Sequence, residues 1–401
     1  MTVYINPSKA CGSITAPPSK SVSHRALICA ALSGGSEIYN ISYSNDIKAT
    51  LSSLEKMGAS VKKSEGSITL GGLDAQSIKR VSLDCGESGS TLRFLIPLCM
   101  LSGGEITLKG TKRLFERDLS VYKSIAKSEG IKFILSDTSL TLKGKLKAGK
   151  FSVRGDISSQ FVSGLMFALP LLKEDSLIEF ETPIESKPYI DMTVAVLSHF
   201  GIKIDALQNG YGIKGNQAYL KTEYTVEGDY SNAANLDAFN LFGGNVAVEG
   251  LKTDTTQGDS VYKEIFKTIT AGGSYDLSDC PDLAPLLFGI SAYHSGARFT
   301  GTARLKIKES DRASAMREEL LKFGANISLY DNEVLIKKAE LHTPSAPICS
   351  HNDHRIVMAL CPLLSVYGGK IKDAEAVNKS YPAFFEDIKK LGIEVKIYDD
   401  R

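Results

Sequence analysis

A chain of 401 residues with 47 Lys plus Arg against 46 Asp plus Glu, 43% hydrophobic and 23% charged, is ordinary globular material, long enough for two or three domains with a large core. Its net charge of +1 implies neither a nucleic-acid partner nor a membrane surface, and its longest apolar runs, Phe94 to Leu101 and Leu283 to Ile290, fall far short of the roughly 20 residues that span a bilayer. Residues 1–16 do not read as a signal peptide. Seven widely spaced cysteines without a CxxC pair point to a reducing cytoplasm and structural thiols, with no disulfide framework or zinc site.

Along the chain one phrase returns six times: the end of an apolar helix, a glycine or its equivalent, a strand, a loop, a second helix, a second glycine and another strand. The first markers are Gly34, Gly103, Glu174, Gly243, Gly296 and Gly368, in steps of 69, 71, 69, 53 and 72 residues. The second are Gly58, Gly130, Gly201, Gly272, Gly324 and Gly392, at offsets of 24, 27, 27, 29, 28 and 24. Such glycines suit helix C-caps, where the backbone turns left-handed. The segments after them, such as Glu105-Ile106-Thr107-Leu108 and Ala325-Asn326-Ile327-Ser328-Leu329, alternate or carry β-branched residues and read as strands. The step of 53 is short because the stretch between Gly272 and Gly296 lacks the paired strands that precede the other units' first helices. Two sets of three repeats, with a break between Gly215 and Glu227, predict two similar α/β domains and a cleft.

The starts of the six first helices hold the most unusual residues: Pro17-Pro18-Ser19-Lys20-Ser21, Glu87-Ser88-Gly89-Ser90-Thr91, Ser158-Ser159-Gln160, Asp229-Tyr230-Ser231-Asn232, Cys280-Pro281-Asp282 and Asn352-Asp353-His354-Arg355. Asp229 and Ser231 need be no more than caps. Capping does not require Lys20 with Arg25, Gln160 after two serines, or Arg355 in a first turn. A cation there opposes the helix dipole, and a bound anion would offset that cost. The second helices add Lys112-Arg113 with Arg117, Ser186-Lys187-Pro188-Tyr189, Lys308-Glu309-Ser310-Asp311-Arg312 and Asn378-Lys379-Ser380. Lys308 and Arg312, i,i+4, are expected on one helical face with Glu309 among the cations. His351 and His354 lack a third ligand, so no metal is expected. Gly86-Glu87-Ser88-Gly89-Ser90 lacks the GK[ST] ending of a nucleotide loop, and there is no Gly-x-Ser-x-Gly elbow.

The phrases Pro18-Ser19-Lys20-Ser21-Val22-Ser23-His24-Arg25, Ser88-Gly89-Ser90-Thr91-Leu92-Arg93, Gly155-Asp156-Ile157-Ser158-Ser159-Gln160-Phe161, Ser186-Lys187-Pro188-Tyr189-Ile190-Asp191, Pro281-Asp282, Lys308-Glu309-Ser310-Asp311-Arg312, Asp353-His354-Arg355 and Lys379-Ser380-Tyr381-Pro382 run through nearly the whole chain. Together they resemble the 5-enolpyruvylshikimate-3-phosphate synthase family. The resemblance implies an α/β (α+β) chain of two domains, residues 1–16 with 228–401 and residues 17–227. Each would hold three βαβαββ repeats in pseudo-threefold symmetry, an inside-out α/β barrel or prism, with the active site in the interdomain cleft and hinges near residues 16–18 and 226–229. It implies transfer of the enolpyruvyl group of phosphoenolpyruvate to the 5-hydroxyl of shikimate 3-phosphate, with release of phosphate, on the pathway to chorismate and aromatic amino acids. No cofactor is expected, and the enzyme is expected to be a cytoplasmic monomer.

By the same resemblance, shikimate 3-phosphate is placed against Lys20, Ser21, Arg25, Ser158, Ser159, Gln160, Ser186, Asp282 and Lys308, and phosphoenolpyruvate against Lys20, Gly89, Arg117, Gln160, Arg312, Arg355 and Lys379. The chemistry asks for a base on the 5-hydroxyl, assigned to Asp282, and an acid for the methylene carbon, assigned to Glu309, with Lys20 and His354 steadying charge. Glu116-Arg117 matches the family phrase although Asp118 stands where Pro is usual, and Arg113 is the alternative. Glu87, His24 and Arg304 also depart from the pattern. Gly89 points to glyphosate as a competitor of phosphoenolpyruvate. Two rivals remain: the sister enzyme acting on UDP-N-acetylglucosamine, whose Lys-Asn pair and loop cysteine are missing here, and a non-catalytic phosphate-ligand binder, against which Asp282 and Glu309 argue.

Overall fold

The computed structural model describes residues 1–398. The chain divides into two compact units, Pro18–Glu227 and the discontinuous pair Met1–Pro17 with Gly228–Arg401.

The contiguous unit repeats one sheet three times. The strands Arg80–Asp84, Glu105–Lys109, Ser139–Lys143 and Lys132–Leu135 lie side by side in that order. The first pair is parallel and the other two are antiparallel. The same pattern holds for Lys150–Val153, Ser176–Phe180, Gly210–Ile213 and Ile204–Leu207, and for Glu223–Thr225, Ser36–Tyr39, Ser67–Gly71 and Ser60–Ser64. None of these sheets closes on itself. Alternation fixes the register, since Ile106 lies opposite Leu142 and Leu108 opposite Leu140, all four buried on the core face.

The discontinuous unit has two such sheets and a remnant. Ser274–Asp276, Gly296–Thr300, Glu333–Lys337 and Asn326–Leu329 follow the pattern. In the second sheet, Ile348–Cys349, Gly369–Lys372, Thr2–Ile5 and Val395–Tyr398, the N-terminal strand takes the third place and pairs antiparallel with both C-terminal neighbours. The remnant is the parallel pair Cys11–Thr15 and Asn245–Glu249. This unit departs from three full βαβαββ repeats because the chain passes from Gly273 straight into Ser274–Asp276, with no segment for a hairpin.

The first helix of each repeat is buried nearly all round and so runs through the core. All but the last residue of Ala284–Tyr293 are buried, as are Val22 to Ala31 of Lys20–Leu32. The second helices are one-sided: in Asn45–Met57, residues Ile47, Thr50, Leu51, Leu54 and Met57 are buried at helical spacing. Gly58 ends that helix at φ 114°, donating its N–H to the Leu54 and Glu55 carbonyls, a backbone conformation that a side chain would strain. Each unit has its own core, and every buried apolar residue of each belongs to that unit.

Five of the six first helices begin on the expected residues, with Ser19, Ser88, Ser158, Asp229 and Asp353 accepting first-turn N–H bonds. The fifth begins later, at Ala284 with no side-chain cap, and leaves Asp282 outside the helix. Among the described residues no helix is long and apolar enough to cross a membrane.

Candidate active site

In the discontinuous unit the helix ends gather a buried ion cluster around Asp282. Its Oδ1 accepts from Arg312 Nη1 at 2.7 Å and Lys308 Nζ at 3.4 Å, and its Oδ2 from Arg355 Nη2 at 2.6 Å. Arg312, 1–2% exposed, also donates through Nε to Asp353 Oδ2 at 2.9 Å and through Nη2 to Glu309. Ser310 completes Asp353, whose other oxygen caps the Arg355 N–H. Burial alone would raise the Asp282 pKa, but the charges of Arg355, Lys308 and Arg312 hold it well below the usual carboxylate range. Burial likewise lowers Lys308 to about 8, against the pull of Asp282. Arg304, also buried, adds to that depression.

One expectation is corrected here. Lys308 and Arg312 do not share a helical face, because the helix begins only at Arg312. Asp311 caps the Ser314 N–H and hydroxyl, leaving Lys308 and Glu309 in an irregular turn. The two cations meet on Asp282 Oδ1.

His354 is buried with Nδ1 3.9 Å from Asp353, and Lys379 donates to the Asn352 carbonyl. His351 and His354 do not converge: His351 joins Glu319, while His354 stands near Glu309 and Asp353, where Arg312 already supplies positive charge.

The contiguous unit carries the other set. Lys20 pairs with Asp46 at 2.8 Å. Arg25, buried beneath Phe94, spends its guanidinium on the Ser21 carbonyl, the Tyr189 carbonyl and Thr193 Oγ1, and burial lowers it to about 10. His24 is held neutral by burial and by Lys20 and Arg25, with Nδ1 on Thr50 Oγ1. Ser158 caps the helix that presents Ser159 and Gln160, and Gln160 bridges Ser90 Oγ at 3.0 Å and Arg93 Nη1 at 2.8 Å. Ser186 sits at φ 57°, buried, just before Lys187–His199.

Gly89 and Arg117 are neighbours. A Cβ on Gly89 would stand 2.8 Å from Arg117 Cζ, so the guanidinium occupies the place a side chain would fill. Arg113, half-exposed, faces Glu116 instead. At the Asp118 departure, Arg93 Nη2 donates to the backbone carbonyl at 2.9 Å and the carboxylate caps the Ser120 N–H.

Sequence reasoning missed Asp46, Arg93, Tyr189, Thr193 and the second task of Asp353. Arg93 and Tyr189 lie inside the quoted phrases, and Asp46 follows the cap Ser44, where an acid reads as a dipole complement.

Repeated four-stranded sheets, with cations and carboxylates at the helix starts of both units, define an α/β enzyme of small anionic substrates. A model of the family described as EPSP synthase (3-phosphoshikimate 1-carboxyvinyltransferase) matches residues 5–388. The 3-phosphoshikimate 1-carboxyvinyltransferases of Clostridium kluyveri and Clostridium acetobutylicum are 42% and 41% identical to this chain, each alignment covering 98% of both sequences. The fold is that of EPSP synthase from Acinetobacter baumannii, with a TM-score of 0.78 over 99% of this chain and 100% of that one at 21% identity. The chain belongs to the EPSP synthase family.

Proposed function

We infer that the protein transfers the enolpyruvyl group of phosphoenolpyruvate to the 5-hydroxyl of shikimate 3-phosphate and releases phosphate, in the shikimate pathway. Family membership supports the reaction. The observation that carries the reading onto residues is Asp282 ringed by Arg312, Arg355 and Lys308. A carboxylate and a phosphate need such guanidinium forks and ammonium groups. A substrate anion that draws Arg312 and Arg355 onto itself removes two cations from Asp282, and the proton affinity of that carboxylate then rises toward what a base requires.

Asp282 takes the hydroxyl proton and Glu309 protonates the methylene carbon, while Lys20 and His354 steady the intermediate. Lys20, Ser21, Arg25, Ser158, Ser159, Gln160, Ser186, Asp282 and Lys308 hold shikimate 3-phosphate. Lys20, Gly89, Arg117, Gln160, Arg312, Arg355 and Lys379 hold phosphoenolpyruvate, and the position of Arg117 against Gly89 favours it over Arg113. The enzyme works in the cytoplasm as a monomer.

Phosphate release from phosphoenolpyruvate, followed with shikimate 3-phosphate and separately with UDP-N-acetylglucosamine, tests the reading. Release with the first acceptor alone is expected; release only with the sugar nucleotide would move the chain to the sister activity, and binding without release would make it a binder. Asp282→Asn and Glu309→Gln test the roles. Both should lose turnover, and the first, which takes one carboxylate from three cations, should also cost stability, about 3–5 kcal/mol by urea titration, because it breaks a buried ion cluster. Near-normal kcat in either variant removes its assignment.

A further inference from the structure

Just before Asp353 the backbone passes through two consecutive non-glycine residues in the left-handed region, His351 at φ 50° and Asn352 at φ 53°. A side chain pays for that conformation in strain, and strain of this kind persists only where surrounding contacts impose it. Here they do. His351 Nε2 lies 2.8 Å from Glu319 Oε1, the His351 N–H reaches Cys349 Sγ, and Ser350 takes the Asn352 N–H on its hydroxyl and the Asp353 N–H on its carbonyl. The outcome of the turn is an Asn352 carbonyl that accepts from the Lys379 ammonium.

Glu319 is a firm anchor. Its side chain is fully buried on the Arg312–Leu321 helix, and it also accepts from Lys322 Nζ at 2.7 Å and from the Cys349 N–H at 3.1 Å. The helix that begins with Arg312 thus grips the 351–355 turn twice: at its start through Arg312 and Asp353, and two turns on through Glu319 and His351. The charged groups facing His351 are Glu319, Glu318 and Lys322.

We propose that His351 is a positioning residue for the transfer reaction: docked on Glu319, it holds Asn352 in the turn whose carbonyl aims the Lys379 ammonium at phosphoenolpyruvate. This rests on the assignment of Lys379 to that substrate, so Lys379→Met is measured beside the His351 variants. The readouts are kcat, KM for each substrate and the urea midpoint. His351→Ala is expected to raise KM for phosphoenolpyruvate ~tenfold while KM for shikimate 3-phosphate and the urea midpoint stay near their starting values. His351→Gln, whose amide can donate to Glu319, should restore KM, and His351→Ala should add nothing in the Lys379→Met background.

An unchanged KM in His351→Ala beside a raised one in Lys379→Met overturns the proposal and leaves the Lys379 assignment standing. An unchanged KM in Lys379→Met removes that assignment and the proposal with it. A fall in the urea midpoint with both KM values altered makes His351 merely structural.

Discussion

Gly89 in one unit and Lys308 in the other each carry a prediction for the proposed reaction. Gly89→Ala places a methyl group where the Arg117 guanidinium lies. The arginine must swing away, and losing a charge-assisted bond of about 1.5–3 kcal/mol predicts a KM for phosphoenolpyruvate raised roughly ten- to hundredfold, with KM for shikimate 3-phosphate little changed in steady-state kinetics. Lys308 carries a pH prediction. With its pKa lowered to about 8 by burial, it is a cation below that pH and neutral above it. On the proposal that Lys308 holds shikimate 3-phosphate, loss of its charge weakens the grip on the anion, so KM for that substrate is expected to climb as pH rises through 8. Lys308→Arg, which stays protonated, should flatten that rise; a profile identical in both proteins would detach Lys308 from the substrate.

At the same scale, cations at helix starts were legible in the sequence because they contradict the dipole and so demand an anion. Their partners were not. The Asp46 pairing with Lys20, the Arg93 bridge to Gln160 and the Thr193 contact with Arg25 join residues 26, 67 and 168 positions apart, which no local pattern encodes. Lys308 and Arg312 misled for the opposite reason: their spacing fits a helix that the Asp311 cap does not allow to start in time.

Among the elements, the repeat of glycine markers revealed the sheets, because every second marker from Gly58 to Gly392 lies at positive φ. The packing of first helices against each other left fainter traces. Where Gly89–Met100 crosses Ser159–Ala168, a Cβ on Gly164 would stand 2.5 Å from the Arg93 carbonyl and collide with the Tyr122 hydroxyl. Gly164→Ala should therefore cost about 1–3 kcal/mol and lower Tm by several degrees in a thermal melt. Because Tyr122 donates to that same Arg93 carbonyl, the variant should also loosen the Arg93 hold on Gln160 and raise KM for both substrates.

For the molecule as a whole, the two separate cores and the shared sheet of the chain ends matter most. Deleting residues 2–5 strips Gly369–Lys372 and Val395–Tyr398 of the strand between them. Hydrogen exchange should then quicken through the Gly228–Arg401 segment and stay slow in Pro18–Glu227, whose core draws on none of those residues. Equal loss in both would show that the units do not fold on their own cores.

The same strand sets the order in which a nascent chain can mature. Thr2–Ile5 is made before all of Pro18–Glu227, and both neighbours it needs, Gly369–Lys372 and Val395–Tyr398, are made after that unit. At roughly 5–20 residues per second, it waits on the order of 20 to 75 s with its backbone edges open. In that interval Pro18–Glu227 is already complete and free to fold. A strand synthesised before the contiguous unit is thus seated after it, and during that wait its open edges are exposed to chaperones, proteases and strand exchange between neighbouring copies.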